Sequence, residues 1–308
     1  MFAITQTTFG GPEVLRGTEI DRPEPGPGEV LVRVRAAGVN PVDAATRAGH
    51  FPLFPEPPLV LGWDVAGVVE ATGADADRFA VGAEVFGLIK FPAPAGTYAE
   101  YVVAPVDQLV AKPAALSMAE AAALPLSGLT AWQALVQIAR IEAGQRLLVH
   151  AAAGGVGHLA VQIAKARGAH VIATARAVRH GFLAGLGVDE LIDYSATDFT
   201  TATETVDVVL DLVGGDYTAR SLALLKPGGL LVTTVGHNSG LTPEEAEQHG
   251  IRLEVVFVQP AAQELGALAA LAESGQLRVH VEQEIPLADA ARAHALPGGA
   301  KGKTVLIP

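Results

Sequence analysis

RLLVHAAAGGVGHLAVQIAKARGAHVIATAR, residues 146–176, reads as strand, glycine turn, helix and second strand. Arg146 to His150 is a short apolar run of the kind a buried strand needs. Gly154, Gly155 and Gly157 make the turn, Leu159, Ile163 and Ala166 recur at helical spacing, and Gly168 closes the helix. Val171 to Ala173 open the next strand. A glycine turn between strand and helix lets backbone N–H groups approach a pyrophosphate at a helix N-terminus, where the macrodipole favours an anion. Of the common G-x-G-x-x-G pattern the chain keeps Gly154 and Gly157, and Ala152 takes the first slot, which predicts an ordinary negative φ there. Gly154 is then the point of close backbone approach and Gly157 the point of tight helix–sheet packing, within a cradle of Ala153, Gly154, Gly155, Val156 and Gly157. The surrounding strand–helix–strand order favours dinucleotide binding over a glycine turn used only for packing.

The second strand speaks to which dinucleotide. NAD-binding units carry an Asp or Glu about 20 residues beyond the turn to hold the ribose 2′-hydroxyl. Here Arg176 stands nineteen residues after Gly157, no carboxylate lies between His170 and Gly187, and Arg179 and His180 follow. A guanidinium pairs with phosphate in a bidentate way, so this cationic cluster points to the 2′-phosphate of NADPH; the alternative is a solvated loop arginine.

The chain of 308 residues is 50% hydrophobic, enough for a large core and for two domains. Its net charge of −12 argues against nonspecific nucleic-acid binding. It has no cysteine, which excludes disulfides and thiolate zinc sites. The first residues lack the basic-then-apolar pattern of a signal peptide, and no uninterrupted apolar run reaches about 18 residues. The expectation is a cytoplasmic protein with no membrane partner.

Two halves differ in texture. Val30 to Ala36 alternates apolar and charged residues, as a half-exposed strand does, after a turn built on Pro23, Pro25, Gly26, Pro27 and Gly28. Val60–Leu61, Val65–Val69, Val81–Leu88 and Tyr98–Val103 continue as short strands, the signature of a small β-barrel-like domain. Ser117-Met-Ala-Glu120 has the form of a capping box, and a further helix is expected over Gly128–Ala139. Strands are expected at Val206–Leu212, Leu230–Val235 and Leu253–Val258, alternating with helices as in a doubly wound α/β domain. Gln263–Ser274 reads as a helix, and Val279–Ile285 and Thr304–Ile307 as strands returning to the first domain.

With these motifs in view the chain resembles the medium-chain dehydrogenase/reductase superfamily, specifically its zinc-free quinone oxidoreductase branch. The resemblance covers nearly the whole chain. It rests on Gly26-Pro27-Gly28-Glu29-Val30, Ala37-Gly38-Val39-Asn40-Pro41-Val42-Asp43, Gly62-Trp63-Asp64-Val65-Ala66-Gly67, Leu126-Ser127-Gly128-Leu129-Thr130-Ala131, the 150–157 turn and the ending Gly302-Lys303-Thr304-Val305-Leu306-Ile307-Pro308. It implies an α/β fold: a GroES-like β-barrel catalytic domain (1–118 and 262–308) and a doubly wound Rossmann domain (119–261) that binds NADPH. Zinc members carry a cysteine where this chain has Asn40, and a His-Glu pair where it has Trp63-Asp64. Neither Asn nor Trp is a good ligand for a catalytic zinc, so no metal is expected.

By resemblance Asn40 lies beside the nicotinamide as the catalytic residue, and Thr130 bonds near its carboxamide or ribose. Tyr194 lies near the adenosine phosphate, and Val213-Gly214 and Val235-Gly236 line the cofactor. Relatives often have a tyrosine where this chain has Ala45, which implies a wider pocket or a lost polar anchor. His50 and Phe51 are expected to edge the substrate pocket, and Phe51 and Phe54 to wall it. Asp43 is read as capping a helix that starts at Pro41, and His150 as a core histidine at a strand end. His158 either touches phosphate or sits on the helix surface. No G-x-S-x-G nucleophile elbow occurs.

The resemblance implies hydride transfer from NADPH to a quinone or related electron-poor carbonyl in an apolar cleft. The alternatives are an enone or alkenal double-bond reductase and a non-catalytic NADPH-binding structural or sensor protein. Relatives join sheet edges, so a homodimer is expected through the strand at Leu253–Val258.

Overall fold

The computed structural model describes residues 1–51, 56–235, 238–296 and 301–308. Phe54, Gly236 and His237, the last read from its place after Val235-Gly236 as facing substrate or cofactor, therefore lie outside the described residues.

The N-terminal part holds β1 (Phe2–Gln6), β2 (Arg16–Glu19), β3 (Glu29–Val39), α1 (Pro41–Arg47), β4 (Leu59–Val60), β5 (Asp64–Thr72), β6 (Glu84–Leu88), β7 (Tyr101–Pro105) and β8 (Leu109–Ala111). A small sheet runs β2-β1-β4. β3 is buried along more of its length than alternation implies, because β5 and β7 pair with it and the first helix after β8 packs on it. Within β3 only Arg35 is exposed.

That helix, α2 (Met118–Ala123), opens on the expected capping box: Glu120 N–H donates to Ser117 Oγ at 3.2 Å, and Ser117 N–H to Glu120 Oε2 at 2.8 Å. α3 (Pro125–Trp132) starts three residues earlier than the sequence suggested, because Pro125 suits the first turn, where its missing N–H costs nothing. Its continuation over Gln133–Ile138 is a π-helix.

The middle of the chain alternates strands and helices. β9 (Arg146–Val149), α4 (Gly155–Ala166), β10 (His170–Thr174), α5 (His180–Ala184), β11 (Glu190–Ile192) and β12 (Val206–Asp211) come first. α6 (Asp216–Ser221), β13 (Leu225–Thr233), α7 (Pro243–Gln248) and β14 (Arg252–Val255) follow. The strands form one parallel sheet in the order β11-β10-β9-β12-β13-β14. This is the doubly wound arrangement, and the order reverses between β9 and β12. Both faces are covered, which is why the strands are continuously apolar. Leu147 and Val149 face the core with Leu159 and Ile163, and Leu148 faces the other side with Ile172 and Val209. Each of these strand side chains is fully buried, and burial of each contributes about 1.5–3 kcal/mol.

α8 (Ala262–Glu273), β15 (Val281–Pro286), α9 (Ala290–His294) and β16 (Lys303–Ile307) complete the chain. β16 pairs antiparallel with β3, so the last strands do return to the first domain, in a sheet ordered β15-β16-β3-β5-β6-β8 with β7 also on β3. Among the described residues no helix is long and apolar enough to cross a membrane.

Candidate active site

At the carboxyl ends of β9, β10 and β12, where the strand order reverses, a cleft of about 720 Å³ faces the ends of β3 and β16. Sites in doubly wound sheets lie at this position. After Val149 the chain turns through Ala151, which takes the left-handed conformation at φ 48°. Ala152 does not, as the sequence predicted. Gly154 is the extended N-cap of α4, and no side chain caps it. The first N–H groups of a helix have no intrahelical acceptor, so this end offers donors and a positive dipole to the cleft. Gly157 packs as expected: a Cβ there would lie 2.6 Å from Ala152 Cα and 2.5 Å from Ala151 O.

Ala153, Gly154, Gly155 and Val156 all line the cleft, and so do Arg176, Arg179, Tyr194 and Val213. Arg176 is exposed and has no partner among the described residues. Arg179 reaches Glu282 on β15 at 3.5 Å. His180 turns away from the cleft, its ring nitrogen 3.0 Å from the Ala175 carbonyl. Tyr194 stands edge-on to Tyr217, ring centroids 6.3 Å apart. Tyr217, on α6 behind Gly214-Gly215, also lines the cleft, and sequence reading missed it.

At the other end lies Asn40, 2% exposed. It begins α1, and Asp43 accepts its backbone N–H at 2.7 Å, the capping role expected of Asp43. The Asn40 side chain also reaches two groups remote in sequence. Its Nδ2 donates to Asp64 Oδ2 at 2.9 Å, and its Oδ1 accepts from Lys303. Asp64 Oδ1 accepts Leu126 N–H at 2.8 Å. Burial pushes the Asp64 carboxyl up and the Lys303 ammonium down, and each charge opposes the shift of the other. Burial also raises the Asp43 carboxyl to about 7. His294, on α9, borders the cleft with its ring held by Tyr98 at 3.1 Å and Arg47 at 3.2 Å. Lys303, Asp64 and His294 were not singled out as site residues, because only tertiary contacts bring 40, 64, 294 and 303 together.

Several expected residues fall elsewhere. Thr130 is buried and gives its hydroxyl to the Leu126 carbonyl at 2.7 Å, the back-bond of a helical threonine, and it does not line the cleft. Val235 packs against the Gly214 turn behind the lining. On α1 it is Ala44, not Ala45, that faces the cleft. His50 is exposed outside it. Phe51 joins an aromatic group instead, 6.2 Å from both Trp63 and Phe91, and Phe91 in turn meets Phe257 at 5.6 Å.

His150 is the core histidine anticipated, between Thr174 Oγ1 at 3.0 Å and Ser221 Oγ at 2.9 Å. His158 matches neither reading offered for it. It is fully buried, one ring nitrogen on the Gly154 carbonyl at 2.9 Å and the other accepting His280 N–H at 3.2 Å. The irregular segment leading into β15 covers that face of α4.

The donors do not form a zinc site. The Asn40 amide is committed to Lys303 and Asp64, and the Trp63 indole N–H to the Ala93 carbonyl at 2.8 Å.

Residues 26–114 match the alcohol dehydrogenase GroES-like domain, and residues 186–306 the zinc-binding dehydrogenase family. The chain is 37% identical over 320 residues to a quinone oxidoreductase of Pseudomonas aeruginosa, covering 97% of both chains. It is 34% identical over 325 residues to a 2-haloacrylate reductase of a Burkholderia species, covering 97% of this chain and 96% of that one. The crystal structure of Escherichia coli quinone oxidoreductase complexed with NADPH superposes with a TM-score of 0.89 at 32% identity over all of both chains.

Proposed function

Because this chain belongs to the zinc-free quinone oxidoreductase branch of the medium-chain dehydrogenase/reductase superfamily, we propose that it transfers hydride from NADPH to a quinone or related electron-poor carbonyl acceptor. The observation that carries this reading is a single cleft with an uncapped helix N-terminus in its wall, a free arginine at the end of β10 and a buried, doubly held amide at Asn40. The NADPH-bound relative supports the choice of cofactor. When bound, the cofactor supplies the hydride. The N–H groups of Gly155 and Val156 bind pyrophosphate, Gly154 leaves room for it, and Arg176 and Arg179 meet the 2′-phosphate. Tyr194 and Val213 border the adenosine half. Asn40 serves the reacting end, and Thr130 and Val235 support the walls from behind.

The same reading divides the chain at 118/119 and 261/262 and places it in the cytoplasm. It makes the protein a homodimer through β14, the edge of the parallel sheet, where Val255 is 51% exposed. Val256 points inward at 6% exposure, so only Val255 faces a partner strand.

The test is a fluorescence titration with NADPH and NADH for the wild type and Arg176→Ala. Loss of the phosphate contact is expected to weaken NADPH about 10- to 100-fold, towards the NADH value. Equal binding of both cofactors by the wild type would discard the Arg176 argument, and binding of neither would discard the enzyme. Similarity to a 2-haloacrylate reductase favours one second reading, reduction of an activated double bond. Turnover of 1,2-naphthoquinone against a simple enone separates the two.

A further inference from the structure

The Asn40 side-chain amide is held at both ends by groups remote in sequence. Lys303 Nζ donates to Asn40 Oδ1 and, at 2.9 Å, to the Val39 carbonyl. Asn40 Nδ2 donates to Asp64 Oδ2 at 2.9 Å. An ammonium only donates and a carboxylate only accepts, so the amide has one orientation: oxygen to Lys303, nitrogen to Asp64. Nδ2 carries two hydrogens, and the bond to Asp64 uses one. The other has no acceptor among the described residues, and Asn40 borders the cleft. The stem of Lys303 fills the space beside the α4 N-terminus, where a Cβ on Gly155 would lie 2.9 Å from Lys303 Cδ. The preceding residue is pinned to the same turn, Gly302 N–H donating to the Ala153 carbonyl at 2.8 Å.

We propose that Lys303 is a positioning residue: with Asp64 it locks the Asn40 amide so that the free N–H is presented to the carbonyl oxygen of the acceptor. This rests on the hydride-transfer reading above. The hydride carries two electrons to the acceptor and negative charge collects on its oxygen. Asn40 hydrogen-bonds that oxygen and keeps its own proton; solvent supplies the proton that completes the reduction. The Lys303 charge on Oδ1 polarises the amide, so its N–H becomes a stronger donor where charge develops. Because the orientation is fixed before the acceptor arrives, no reorganisation is needed at the moment of reaction.

The chain has two asparagines, Asn40 and Asn238, so labelling with nitrogen-15 asparagine gives two side-chain amide signals, and Asn40→Ala identifies one. Without any cofactor, the Asn40 Nδ2 hydrogen bonded to Asp64 is expected to exchange with deuterated water at least about 100-fold more slowly than those of Asn238, and more slowly than its own free partner, because the lock prevents the amide from rotating. Lys303→Met should shift that signal and speed its exchange; a signal that Lys303→Met leaves in place overturns the lock. In turnover with NADPH and a quinone, Lys303→Met and Asn40→Ala should each lower kcat roughly 10- to 100-fold, with NADPH Kd and acceptor KM changing less than about threefold. The double variant should be no slower than Asn40→Ala alone, and multiplied losses overturn the proposal because Lys303 then acts elsewhere. If the stranded Asp64 charge unfolds Lys303→Met, Lys303→Met/Asp64→Asn removes both charges and must show the same loss of kcat and the same freed amide. A wild type that binds NADPH but reduces neither quinones nor enones refutes the reaction and the catalytic use of the amide; the amide signals then decide the lock by themselves.

Discussion

Acidification should unfold this protein through its buried histidines. His158 accepts a backbone N–H from His280 on one ring nitrogen, so the neutral ring carries its hydrogen on the other, which donates to the Gly154 carbonyl. A second proton would face an N–H that cannot rotate away. His150 has softer partners, two hydroxyls, but it is as deeply buried. Burial lowers His150, His158 and His294 from 6.5 to about 4. A group whose folded pKa is depressed in this way contributes its full stability above pH 6.5 and loses it as pH falls towards 4. A shift of that size amounts to about 3 kcal/mol for each of the two fully buried rings, and roughly half that for the less enclosed His294. Asp43, raised from 3.8 to about 7, works in the opposite sense and returns about 3 kcal/mol over the same window. Asp64 acts in the same direction as Asp43. His150, His158, His294 and Asp43 together give a loss on the order of 4 kcal/mol between pH 6.5 and 4, a large share of a domain's stability, which the lowered His280 adds to and the raised Asp64 offsets. Urea midpoints followed by circular dichroism at pH 7, 6, 5 and 4.5 should fall steadily. His158→Gln keeps a donor and an acceptor without a titrating group, and should flatten the slope by about one group's share. A midpoint that is constant or rises on acidification, or a slope that His158→Gln leaves untouched, would refute the reasoning.

Three further outcomes are expected. Gly157→Val drives a side chain into the Ala151–Ala152 backbone, so it should cost about 1–3 kcal/mol in a thermal melt and abolish NADPH fluorescence enhancement; a variant that binds normally would show that the turn tolerates bulk. Trp63→Ala empties a fully buried site ringed by Phe51 and Phe91 and frees the Ala93 carbonyl, for a loss of about 3–5 kcal/mol by urea denaturation; under about 1 kcal/mol would mean that the aromatic group collapses without cost. Val255→Lys places a charge on the exposed edge of β14 and should yield monomers by size-exclusion light scattering, whereas an unchanged dimer would exclude that edge as the interface.

The strand–turn–helix of residues 146–176 was readable because its signals are local. Apolar runs, helical spacing and glycine positions act within one turn of chain, and every boundary there fell within a residue or two. The capping box at Ser117 is local in the same way. Misplacements occurred where packing decides. Ala45 and Ala44 are equivalent on paper, and the tilt of α1 alone turns one into the cleft. His158 reads as a surface or phosphate-facing residue until the irregular segment leading into β15 covers it. Phe51 reads as a pocket wall until Trp63 and Phe91 take it.

By itself, then, the sequence determined the doubly wound fold, its glycine cradle, the basic residues at the end of β10 and the absence of thiolate ligands, all written in neighbouring residues. Tertiary structure alone decided the chemistry around Asn40. Its two partners, Asp64 and Lys303, lie 24 and 263 residues away, and only the antiparallel pairing of β16 with β3 brings the lysine there. Buried charges take their meaning from what faces them, and no local pattern records that.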